Sequence, residues 1–170
     1  MTSKELTEAI EGATGGTDKG RIFHVRAGLS AAGKIPTYND PVTPTAAAWY
    51  LLAYSLCPHT RPAKVAEWIK EKDSEWSAMA PEHNPIVRLA FALSDVETMD
   101  RLHSVSVNRT WGLWALNVRH QGQIQQVEIP TQNIPANYKE VAPITKVLAI
   151  DGNFIREIAT AITAKNEVNV

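Results

Sequence analysis

The chain has a single cysteine, Cys57, among 170 residues, so no disulfide framework can form within it. It has no excess of either charge. Lys and Arg number 17 against 18 Asp and Glu, a balance that argues against a strongly basic nucleic-acid binder. No apolar run approaches the ~20 residues of a membrane helix, and Met1-Thr-Ser-Lys-Glu-Leu lacks the long apolar stretch of a secretory signal. A reducing, cytoplasmic setting with no membrane partner is therefore expected. What is present is ordinary: 44% apolar and 21% charged residues. A chain of this size can bury roughly 70% of its unfolded surface, enough for one core without a metal or a cofactor.

Signs are balanced along most of the chain. The exception is 109–122, where Arg109 and Arg119 occur with no acid and share the window with Trp111 and Trp114. Residues 12–20 hold four glycines among small polar residues and read as a hinge. Ser3 to Ala13 before them suits a short helix capped by Ser3, with Leu6 and Ile10 on one side. The expected organisation is a flexible N-terminal arm and hinge over 1–20, a single globular domain over 21–165 and a frayed tail over 166–170. Arg21 to Arg26 alternates Ile22 and His24 with Phe23 and Val25, as a short strand does.

Proline placed just after a capping position marks three helix starts, at Thr43-Pro44, Thr60-Arg61-Pro62 and Asn84-Pro85, and Ser94-Asp95-Val96-Glu97 adds a capping box. Helices are expected at about 43–56, 61–79, 84–93 and 94–107. The first carries no charge from Ala46 to Leu56 and should be the buried central element. In the last of the four, Val96, Met99, Leu102 and His103 are expected to face inward. Trp114, Leu116 and Val118 then alternate with Ala115, Asn117 and Arg119, and His120-Gln-Gly-Gln turns into a second strand with Ile124, Val127 and Ile129. A bulge is expected in that second strand, because Ile124 to Val127 slips phase. A final helix over about 151–165 has Ile155, Ile158, Ala159 and Ile162 on one stripe, after a stretch broken by Pro130, Pro135 and Pro143. The fold class expected is mainly α with a small β component: a helical-bundle core plus one β-hairpin.

Chemical motifs fail one by one. Gly28-Leu-Ser-Ala-Ala-Gly33-Lys34 has phosphate-loop spacing, but Ile35 lacks the magnesium-binding hydroxyl and Pro36 blocks the helix that the motif requires. Ser30 in the same stretch lacks the helix of a nucleophile elbow. Cys57-Pro58-His59, with His83, His103 and His120 elsewhere, lacks the paired spacing of a zinc site. Asp95 and Glu97 are explained as helix N-terminal acids rather than as catalytic carboxylates. The Arg109–Arg119 window survives as a candidate contact for phosphate and bases, through bidentate guanidinium bonds and indole stacking. Arg109, Trp111, Trp114 and Arg119 are its first residues, with Arg21, Arg26, Arg61 and Lys64 next.

The expectation is a non-enzymatic, self-associating structural subunit whose partners are copies of itself. It extends to a capsid-like or nucleocapsid-like coat on single-stranded RNA or another polyanion, with avidity replacing single-copy affinity. The alternatives are a small enzyme or ligand-binding module, with a pocket between helices and hairpin lined by Trp49, Tyr50, Trp111 or Trp114 and His103, and an adaptor that binds one partner protein. Both chain ends folded back around a cleft of ionisable side chains would count against the first and make catalysis the better expectation.

Overall fold

The computed structural model describes residues 1–134 and 147–164. Among these are seven helices and a four-stranded sheet: α1 (Ser3–Ala13), α2 (Lys19–Ala31), α3 (Pro44–Leu56), α4 (Pro62–Ser77), α5 (Pro85–Ser94), α6 (Val96–Arg101), β1 (Leu102–Asn108), β2 (Leu113–His120), β3 (Gln123–Pro130), β4 (Val147–Asp151) and α7 (Gly152–Thr163). The strands lie antiparallel in the order β3-β2-β1-β4. Pro135, Pro143 and the 166–170 tail lie outside the described residues.

The helical-bundle-plus-hairpin expectation is therefore corrected to a mixed α/β fold. Two strands were not expected. β1 begins where the fourth helix was expected to continue: α6 stops at Arg101, and Leu102 is already extended at φ −64°, ψ 121°. The segment Leu-His-Ser-Val-Ser-Val-Asn alternates Val105 and Val107 into the core with Ser104 and Ser106 outward, which is period two with β-branched residues. Of the inward stripe expected for that helix, Met99 and Leu102 are buried while Val96 and His103 are exposed. β4 pairs with β1 from Ser104↔Asp151 to Asn108↔Val147. Arg21 to Arg26, conversely, belongs to a helix. Ile22, Val25 and Leu29 are its buried stripe, and Gly28 lets α2 approach α4 so closely that an added Cβ would lie 2.5 Å from Val65 Cγ1.

The hairpin forms as expected about its turn, where Gln121 and Gly122 both have positive φ, 49° and 81°, as a two-residue primed turn requires. It needs no bulge. β2 and β3 pair in unbroken register from Leu113↔Pro130 to His120↔Gln123, because Ile124 faces away from the helices while Val127 and Ile129 face them. The register shift lies instead in β1, between Leu102 and Ser104.

Helix α3 is the central element. Ala46 to Ala53 are all buried, and Thr43 caps the helix by accepting from the Ala46 N–H. Trp49 stacks on Trp76 with 5.2 Å between ring centroids. α7 adds Ile155, Ile158, Ala159 and Ile162 to the same core. The stretch expected to be an arm is docked on it as well. Leu6 and Ile10 of α1 are buried, Thr2 and Glu5 form its capping box in place of Ser3, and the Met1 ammonium donates to Ala161 O of α7 at 2.8 Å. The Ser3 and Lys4 N–H groups donate to Asp40 O and Tyr38 O. Among the described residues no helix is long and apolar enough to cross a membrane.

Candidate functional site

The C-terminal end of α3 leaves carbonyls that no further turn of helix can satisfy. Two of the arginines proposed for nucleic acid satisfy them. Arg21 Nε and Nη2 donate to Tyr54 O at 3.1 and 2.8 Å, and Nη2 also donates to Cys57 O at 2.6 Å. Arg109 Nε donates to Ser55 O at 2.7 Å. Guanidinium groups there also complement the negative end of the helix dipole. The structure thus unites Arg21 and Arg109, which the sequence separates by 88 positions, but in a cap rather than on an open groove.

The other candidates scatter. Trp114 is buried, with its indole N–H donated to Ser55 Oγ at 2.9 Å, so it offers no face to a base. Trp111 is half-buried in the β1–β2 turn. Arg26 lies 4.2 Å from the Tyr38 ring centroid. Arg61 is the exposed N-cap residue of α4, and Lys64 pairs with Glu67 at 2.6 Å. Arg119 is exposed at the opposite end of β2, on a cleft of about 450 Å³ whose lining also includes Arg101, His103 and Arg156. Arg101 is partnered by Glu97 at 2.7 Å, and Arg156 donates to Asp100 O at 3.4 Å. Lys34 pairs with Asp73 at 2.6 Å and lies 5.3 Å from the Trp49 ring centroid, far from a phosphate-loop role. Cys57 is buried, and burial pushes its thiol up.

Next to the arginine-capped end of α3 is a recess of about 890 Å³. α1, the α1–α2 turn, α3, β4 and α7 enclose it. Ile10, Leu51, Leu148, Ile150 and Phe154 supply apolar wall, and Thr14, Thr17, Asp18, Tyr54, Asn153 and Glu157 supply polar atoms. The turn at its mouth is built by Gly15 and Gly16, both at positive φ, 61° and 72°. Of the aromatic pocket expected from Trp49, Tyr50, Trp111 or Trp114 and His103, Trp49, Tyr50 and Trp114 are buried, Trp111 is half-buried, and His103 lies on the cleft beside Arg119. The aromatic side chains in the described lining of the recess are instead Tyr54 and Phe154, brought together by long-range packing that no local motif announces.

The Tyr54 hydroxyl donates to Asp18 Oδ2 at 3.0 Å. Burial, reinforced by the bond to the Asp18 carboxylate, pushes its phenol up to about 12, so it stays protonated at neutral pH. The described lining contains no His, Cys, Lys or Arg side chain. Among the described residues no three His, Cys, Asp or Glu side chains gather as a metal site. The recess can hold a ligand by burial and hydrogen bonding. Neither protein-family models, nor curated proteins, nor solved structures provide a match to this chain.

Proposed function

We propose that the protein is a non-enzymatic binding module and that the recess between α1, α3, β4 and α7 is its ligand site. The observation that carries this reading is a cleft of about 890 Å³ with an apolar floor and a few polar groups at its rim, within the size range of small-molecule sites. The assembly reading relied on free ends; α1 packs against α7 and both border this cleft, while residues 165–170 lie outside the described residues. Cys57, buried and without a second cysteine, is in keeping with a reducing compartment, and we place the protein in the cytoplasm on that ground. Ligand-observed NMR with a panel of small aromatic fragments tests the reading. Some are expected to bind the wild type and to lose binding in Ala9→Trp, which projects an indole into the cleft. A panel in which no fragment distinguishes the two proteins sinks it.

A second reading, self-association, is favoured by a different surface. Phe91 on α5 is 74% exposed, and it lines a groove of about 580 Å³ with Val87, Val127 and Leu116. Beside it β3 is a sheet edge among the described residues, uncharged from Gln123 to Val127. The occupant we propose is a second copy. A two-fold axis through β3 would extend the sheet and set both α5 ridges on one side of the seam. Glu82 and Arg88, which line the groove without an ion pair among the described residues, would then have partners of opposite sign across it. A coat on single-stranded nucleic acid belongs to this reading, with Arg119 as the proposed phosphate contact.

A further inference from the structure

We infer that the cleft selects an organic cation: a small molecule with an apolar body and a protonated amine. This inference rests on the ligand-binding reading and adds the chemistry of the ligand. All the ionised side chains in the described lining, Asp18, Asp151 and Glu157, are acids. Tyr54, neutral and with its proton directed to Asp18, offers no positive charge to an anion. An anionic ligand would be desolvated against carboxylates with no cation among the described lining residues to receive it. An amine would meet acceptors.

The three acids do not contribute equally. Asp151 is committed to the start of α7, accepting from the Asn153 N–H at 2.8 Å. Asp18 uses one oxygen for Tyr54, and its other oxygen has no partner among the described residues. Arg21 and Arg109 lie behind Tyr54, outside the lining, and offset part of the field at that end. Glu157 is exposed on α7 and has no hydrogen bond or ion pair among the described residues. It therefore carries the larger share of the attraction, with Asp18 as the second contact. The body of the ligand lies on Ile10, Leu51, Leu148, Ile150 and Phe154.

Titration of the full chain with three probes of one shape tests this: phenethylamine, 2-phenylethanol and 3-phenylpropionate, followed by calorimetry and by amide chemical shifts. Phenethylamine is expected to bind about three- to tenfold more tightly than the alcohol, a margin set by a partly exposed charge pair, and the carboxylate most weakly. Glu157→Gln should remove most of that margin and leave the alcohol unchanged; Asp18→Asn should remove less. Equal binding of amine and alcohol, a preference for the carboxylate, or an amine margin intact in both variants overturns the cation assignment while cleft binding of the alcohol preserves the parent reading. If none of the three shifts amides of α1, α3, β4 or α7, both fall.

Discussion

Trp114 donates its indole N–H to the hydroxyl of Ser55 at 2.9 Å, and Ser55 in turn donates to Leu51 O at 2.7 Å. The hydroxyl thereby joins the sheet to the central helix and gives both the Trp114 indole and its own proton an acceptor. The same residue's carbonyl receives Arg109. Ser55→Ala is expected to cost about 1–3 kcal/mol, because it strands a buried N–H without replacing its partner. Urea denaturation is the measurement, and a midpoint equal to that of the wild type would show the relay to be dispensable.

Arg109 and Arg119 should separate into different roles. Arg109→Ala is expected to lower stability by about 1–3 kcal/mol, as loss of a charged hydrogen bond to a helix-end carbonyl would. Arg119→Ala should leave stability unchanged and reduce binding to a heparin column or to oligo-dT, with a shallower salt dependence. Equal polyanion retention by Arg119→Ala and the wild type would remove nucleic acid from consideration at that site.

Gly28→Ala places a methyl 2.5 Å from Val65 Cγ1 and 2.7 Å from Val65 Cβ. Helix propensity alone favours alanine by ~1 kcal/mol, but overpacking between two helices opposes it by about 1–3 kcal/mol, and the net effect is expected to be destabilising. Val65→Ala in the Gly28→Ala background should recover part of the loss. Two additive losses in that double-mutant cycle would mean that the pair does not share the contact.

Leu52 is fully buried in α3. Leu52→Asp introduces a carboxylate without a partner into that helix and is expected to abolish cooperative folding. Circular dichroism with thermal melting decides the matter, and a fully helical variant with an intact transition would show that the core lies elsewhere.

Alkaline pH should destabilise the protein through Tyr50. Burial pushes its phenol up to about 12, against an ordinary value near 10. The protonated form is therefore favoured in the folded state. Its contribution, on the order of 2–3 kcal/mol, is fully present below pH ~10 and is lost as the pH rises toward ~12. Tyr50→Phe should flatten the fall in stability over that window when denaturant midpoints are compared at successive pH values. A slope identical to that of the wild type would locate the titrating group elsewhere.

For the self-association reading, sedimentation velocity at several concentrations is the direct test. The wild type is expected to sediment as a dimer or larger species, and Phe91→Glu as a monomer with unchanged helical content. A monomeric wild type at every concentration closes that reading and leaves the cleft unaffected.

The parts of the structure legible in the residues were those whose cause is local. Pro44, Pro62 and Pro85 mark their helix starts because a proline in the first turn gives up a bond it would not have made, although Arg61 rather than Thr60 holds the N-cap position before Pro62, and Gln121-Gly122 turns the hairpin because a primed turn needs two positive φ angles. The apolar run of α3 and the isoleucine stripe of α7 determined what would be buried. Six residues at Arg21–Arg26 fit both a strand and a helix, and only the Gly28–Val65 contact with α4 makes the helical packing plain. β4 exists because β1 offers it an edge, and β1 could be taken for two more turns of α6. The cleft belongs to tertiary structure for the same reason. Its walls come from α1, α3, β4 and α7, and Asp18, Tyr54 and Glu157 come to line one recess only when hydrophobic burial of Ile10, Leu51 and Ile155 brings those elements together.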